Sequence, residues 1–195
     1  RVLAIDPMLP NGLTWRGWVY VFDGDTVNAR RVLERALDLG IGNAHLPLSL
    51  VERAEGNDAE AIAEMELGLA AFGAGLPVET PGLVAAGVFG DDAARRHAVA
   101  HVEGLIGSYA GTVSGPLAFS LIMLGEHARA LDVIQSGVTT SSIWQLALWG
   151  PSGRDARRLP QFAEFARRVG FVAAWDKYGP PDGCRKTTGG DYACD

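Results

Sequence analysis

The apolar and polar positions between residues 17 and 37 alternate as two helices joined by a turn. The stretch GWVYVFDGDTVNARRVLERAL sets Gly17 and Tyr20 three apart, puts Gly24-Asp25 in its middle, and then spaces Ala29, Leu33 and Ala36 along one face of a second helix. Gly24 supplies the positive φ of such a turn at little cost. Asp25 can cap the second helix by accepting from its free N–H groups. Gly17 and Ala29 let two backbones approach where a larger side chain would overpack. Leu13 takes the first large position. Upstream, Asp6-Pro7 stops a preceding helix and sets the entry to this one.

The pattern returns. AEGNDAEAIAEMELGLAAF places Gly56 at the turn, Asp58 at the cap, Ala61 and Gly68 at the small positions and Met65 at the large one. VFGDDAARRHAVAHVEGLI offers Gly90-Asp91, and MLGEHARALDVIQSG offers Gly125, with Ala130 and Gly137 small and Ile134 large. The turn glycines are separated by 32, 34 and 35 residues. The third unit is degenerate, because Arg95 stands where a small residue is expected. Gly40 and Gly42, Gly73 to Pro81 and Gly111 to Pro116 break the chain between units. No stretch alternates as a strand would, and Asn11-Gly12 precedes a helical pattern rather than closing a hairpin.

A helical repeat of this period, with Gly17 and Tyr20 at a Gly-x-x-Tyr step and Pro7 closing the previous unit, resembles the tetratricopeptide repeat family. The resemblance implies an all-α fold, an α–α superhelix (a solenoid of helical hairpins) over residues 1–145. In that family the first helix of each pair lines a concave groove. The register then places Asn11, Thr14, Trp18, Val21 and Phe22 of the first unit on the groove, Leu46, Leu50 and Arg53 of the second, and Phe119, Ile122 and Met123 of the fourth. Trp18 beside Phe22 would serve as an anchor for an extended peptide or a partner helix, unless a neighbouring repeat upstream covers both.

After Ile143 the register is lost. Pro160 can open a helix with Phe162, Phe165, Ala166 and Val169 on one face and Gly170 at its end, and Gly179-Pro180-Pro181 is a firm break. The end of a solenoid exposes an apolar face unless something covers it, so residues 146–182 read as a C-terminal capping region with a capping helix, and 183–195 as a flexible tail. Leu159-Pro-Gln-Phe162, Arg167-Arg-Val-Gly-Phe171, Trp175, Pro181-Asp-Gly-Cys184 and Asp191-Tyr-Ala-Cys194 resemble the C-terminal region of bacterial proteins that carry tetratricopeptide-type repeats behind a class III adenylate cyclase domain or a winged-helix transcription regulator. That resemblance implies a regulatory or sensor role toward a module upstream of Arg1. The opening RVLAIDP, with no initiator Met and no leader pattern, likewise suggests a piece of something longer.

Composition narrows the field. A chain of 195 residues with 48% hydrophobic and 21% charged residues has the make-up of a globular protein with a sizeable core. A net charge of −6 without a basic cluster argues against nucleic-acid binding by this segment, and no apolar run is long enough for a membrane span. The two cysteines, Cys184 and Cys194, either close a small loop or remain free thiols, as the compartment decides; that compartment is cytoplasmic, or periplasmic if a span lies upstream. His97 and His101 stand one helical turn apart with Glu103 nearby, yet a zinc site needs more ligands. No nucleophile elbow, phosphate loop or Cys/His pair is present. The acidic residues Asp23, Asp25, Asp91 and Asp92 sit at turns and helix starts, where capping accounts for them. The expectation is a non-catalytic module without metal or cofactor, binding a protein or peptide or the upstream domain of its own chain. The competing expectation is a helical-repeat sensor of a small molecule that controls an upstream cyclase or DNA-binding domain.

Overall fold

The computed structural model describes residues 9–72, 75–108, 114–136 and 143–195. Asp6-Pro7, Gly73, Gly111 and Gly137, each given a role above, lie outside them. The chain is mostly helical, its helices packed as sequential pairs. It divides into two compact units, Arg1–His101 and Val102–Asp195.

The first unit holds α1 (Pro10–Phe22), α2 (Thr26–Asp38), α3 (His45–Ala54), α4 (Asp58–Phe72), α5 (Thr80–Phe89) and the greater part of α6 (Asp92–Ile106). Consecutive helices from α1 to α5 pack on one another. The turns at Gly24 and Gly56 share one construction. Each glycine has positive φ, 75° and 85°, which residues with a Cβ adopt at a cost. The next amide then reaches back to the last turn of the preceding helix: Asp25 N–H donates to the Tyr20 carbonyl and Asn57 N–H to the Glu52 carbonyl, both at 2.9 Å. Helix-end carbonyls are satisfied in the manner of a Schellman cap. The following helix opens at the next residue and closes its first hydrogen bond four residues on, where Ala29 N–H donates to the Asp25 carbonyl and Ala61 N–H to the Asn57 carbonyl. The second cap position therefore falls on Asn57 rather than on Asp58, whose carboxylate accepts from Arg53 instead.

Close approach explains the small residues. A Cβ built on Gly17 would lie 2.3 Å from Leu33 Cδ2, and one built on Gly68 would lie 2.6 Å from the backbone nitrogen of Leu46. Ala29, Ala36 and Ala61 are fully buried, with Leu33 and Met65 between them. Leu13, Val32, Ala44, Leu48 and Val51 complete the core of the first two pairs.

The third turn departs. Gly90 has φ −88° and ψ −155°, outside the left-handed region. Asp91 still caps α6 by accepting from Ala94 N–H at 2.8 Å. Arg95, at the position of Ala29 and Ala61, is exposed, and burial shifts to Ala98 and Val102.

The second unit begins in α6 and continues with α7 (Ser114–Met123), α8 (His127–Ser136), α9 (Ile143–Trp149), α10 (Arg154–Arg158), α11 (Phe162–Arg168) and α12 (Phe171–Tyr178). The α7–α8 turn returns to the first construction. Gly125 has φ 82°, Glu126 N–H donates to the Leu121 carbonyl and Ala130 N–H to the Glu126 carbonyl, each at 2.9 Å. Ala118, Ala130 and Ile134 are buried at the matching positions.

Beyond α8 the packing changes character. Helix α9 packs on α7, and α10 and α11 touch α8. Gln161 donates from Nε2 to the Ala128 carbonyl at 3.3 Å, and His127 Nε2 meets the Ser152 carbonyl at 3.0 Å. Between these short helices lies a cluster of rings. Trp149 meets Phe162, Phe171 and Trp175, and Phe165 meets Trp144, Phe162 and Phe171, with centroids 5.7–6.4 Å apart.

The tail corrects the expectation of a purely helical chain with a flexible end. Residues 184–186 (β1, Cys184–Lys186) and 192–194 (β2, Tyr192–Cys194) pair antiparallel, Cys184 opposite Cys194, and a disulfide joins the two. The ribbon is fastened to α12. Tyr192 packs edge-on to Trp175 at 5.0 Å, and its hydroxyl donates to Asp176 at 3.0 Å. Lys186 and then Tyr192 hold the Asp176 carboxyl below the usual range.

Candidate functional site

The residues expected on a groove divide according to which way α1, α3 and α7 face. On α1, Leu13 and Gly17 point at α2, so the opposite face falls about half a turn away, at Trp15 and Val19. These are 59% and 56% exposed. Asn11 is exposed and Phe22 half-buried on the same stripe, so Asn11, Trp15, Val19 and Phe22 run along one side at i, i+4, i+8 and i+11. Thr14 and Trp18 are buried on the flank, at 5% and 4% exposure, and Val21 packs at the edge of the core. The expectation for Thr14 and Trp18 is therefore corrected: they are a quarter-turn from the solvent face. Trp18 does meet Phe22, ring to ring at 5.5 Å.

On α3, Leu46 is not a groove residue. It is fully buried, its side chain and backbone filling the crossing with Gly68 of α4. Leu50 is half-buried, and Arg53 is turned to Asp58 as an ion pair. In the second unit, Phe119 and Ile122 of α7 are buried and Met123 is half-buried, so the first two are corrected to core positions. Helix α7 is apolar on nearly every side, which is why a facing inferred from repeat register alone placed them wrongly.

The exposed stripe of α1 has a polar border. Arg16 donates from Nε to the Tyr20 hydroxyl at 2.9 Å, its guanidinium lying 5.2 Å from the ring centroid. Farther into the unit, Arg30 of α2 spans to α3, pairing with Glu52 and Glu55 at 2.7 Å each. Asn57 Nδ2 donates to the other oxygen of Glu52 at 2.8 Å. Arg30 chiefly, opposed by burial and helped by Asn57, holds the Glu52 carboxyl below its ordinary value; the same pairing raises Arg30. This arrangement ties α2 to the end of α3.

His97 and His101 have separate surroundings. His101 Nε2 meets Thr80 Oγ1 at 2.8 Å and His97 is exposed. Among the described residues no group of three or more His, Cys, Asp or Glu could hold a metal ion, and no helix is long and apolar enough to cross a membrane. Comparison with family models, with curated proteins and with solved structures finds no match.

Trp15 and Val19 are exposed positions that the repeat register does not single out. The signal was present: once Leu13 and Gly17 are assigned to the helix crossing, helical geometry sends the outward face to positions 15 and 19.

Proposed function

We propose that this chain is a tetratricopeptide-like α-solenoid with a C-terminal cap, serving as a non-catalytic regulatory module of a larger bacterial signalling protein. Its partner is a peptide or helix of another protein, or the upstream domain of its own chain. The shared construction of the Gly24, Gly56 and Gly125 turns supports the repeat reading.

The observation that carries the binding reading is the solvent-facing pair Trp15 and Val19 on a helix whose other side is core. Two large apolar side chains one turn apart are the kind of anchor that an amphipathic helix docks against. Tryptophan is among the residues that dominate interface energies. In this reading the partner binds the outer stripe of α1, with Arg16 and Tyr20 as its polar rim.

Selection from a displayed peptide library on the purified chain tests it. The expected outcome is enrichment of peptides with apolar residues at helical spacing, whose affinity falls about tenfold or more in Trp15→Ala at an unchanged melting temperature. Equal binding by Trp15→Ala, or no enrichment, contradicts the proposal.

A further inference from the structure

A chain with a net charge of −6 gathers several arginines at one place in the second unit. An open depression of about 300 Å³ is lined by Arg157 and Arg158 of α10, Phe162 of α11, and Arg185, Tyr192 and Asp195 of the ribbon segment. Three guanidinium groups thus face one side-chain carboxylate.

Arg157 is the fixed member. Its guanidinium donates to main-chain oxygens: those of Leu148, of Gly150 at 3.1 Å, and of Asp195 at 2.9 and 3.2 Å. It also lies over the Trp149 ring, 5.7 Å from the centroid. Among the described residues no carboxylate side chain pairs with it, nor with Arg154 or Arg158. Burial, and then the neighbouring Arg154 and Arg158, push the Arg157 guanidinium below its usual range. Such crowding of like charges is unfavourable by itself and is relieved by an anion.

Arg185 is loosely engaged. It stands 3.6 Å from the Asp195 carboxylate, with both side chains about 70% exposed, a pair of small energetic weight. Cross-strand register and the Cys184–Cys194 bridge hold β1 against β2 and set Arg185 opposite Ala193, on the face that also carries Asp195.

We propose that this depression binds a small anion of the phosphate class, with Arg158 and Arg185 closing on its oxygens and Arg157 supplying the fixed positive charge. A guanidinium fork matches two phosphate oxygens, and charge-assisted hydrogen bonds are about twice as strong as neutral ones. The depression is of the size of the smaller ligand pockets, which suits a free ion or a small phosphate monoester rather than an extended polyanion.

Isothermal titration of the whole chain with inorganic phosphate, at ionic strength held constant with chloride, tests the proposal. Saturable binding is expected, weakened about tenfold or more in Arg158→Ala and in Arg185→Ala and unchanged in Arg96→Ala, which alters an exposed arginine of the first unit. Reduction of the Cys184–Cys194 bridge is expected to weaken binding as well, since the ribbon forms one wall. Absence of a saturable heat overturns the site, as do affinities in both arginine variants equal to that of the parent chain, or binding to anionic vesicles only. Malonate binding tighter than phosphate overturns the assignment of ligand class, and an affinity indifferent to reduction overturns the role of the ribbon.

Discussion

The helix pairs and the C-terminal region solve the same packing problem with opposite materials. In α1–α4 and α7–α8, small residues at fixed distances from a turn glycine bring backbones together, and one large side chain fills each crossing. Gly17 admits Leu33, and Gly68 admits Leu46. In α9–α12 the helices run only five to eight residues, too short to be stable by themselves. They are held by a shared filling of rings, by Arg157 bridging to helix-end carbonyls, and by a disulfide-closed ribbon latched to Asp176. A periodic design can be extended by repeating it. An aromatic filling cannot be extended, because each ring is fitted to its neighbours.

If that contrast is right, the two regions respond differently to truncation and to added bulk. Phe165, fully buried among three rings, should show the largest effect: Phe165→Ala is expected to cost about 3–5 kcal/mol in chemical denaturation followed by tryptophan fluorescence. A loss under 1 kcal/mol would mean that the rings do not act as one cluster. In the helix pairs, damage should come from adding atoms. Gly68→Ala is expected to cost about 1–3 kcal/mol, because the new Cβ meets backbone at Leu46 as well as side chain. A neutral or stabilising Gly68→Ala would refute the close crossing.

The smaller effect is electrostatic. The Glu52 carboxyl has a folded-state value below its ordinary 4.5, so it contributes stability that is present above that value and lost as pH falls through the lowered one. Glu52→Gln should destabilise by about 1–2 kcal/mol at neutral pH and flatten the acid limb of the stability profile. An acid limb identical to that of the parent chain would show that Arg30 does not hold this carboxylate.

Local chemistry was legible in the sequence wherever the turn glycine, the cap and the small residue lie within one short window. Gly24, Asp25, Ala29 and Leu33 fall where their chemistry puts them, and so do Ala61, Met65, Ala130 and Ile134. The misfit at Arg95 also pointed to a real departure, since the turn at Gly90 is built differently. On α11, Phe162, Phe165 and Ala166 share the buried face that their spacing indicates. Facing was less legible. Trp18 and Trp15 are both aromatic residues on one helix, and which one meets water follows only from measuring the face away from Leu13 and Gly17, not from the repeat register. Leu46, Phe119 and Ile122 sit on helices with apolar residues on more than one side, so periodicity alone carries little direction. The ribbon was hidden for another reason. Strands of three residues are too short to alternate visibly, and their pairing depends on a bridge between Cys184 and Cys194 and on contacts with α12. The arginine-lined depression likewise joins residues 157, 158 and 185, which no short window contains.

The central claim is that Gly24, Gly56 and Gly125 begin equivalent helix crossings and that Gly90 does not. Thermal unfolding of Ala29→Leu beside Arg95→Leu tests it most directly, because the two substitutions occupy the same place in the repeat register. Ala29→Leu should overpack the α1–α2 crossing, costing about 1–3 kcal/mol and lowering the melting temperature by roughly 2–10 °C. Arg95→Leu, on an exposed position, should stay within about 0.5 kcal/mol of the parent. Equal shifts in the two variants, or an unchanged melting temperature in Ala29→Leu, would contradict the account.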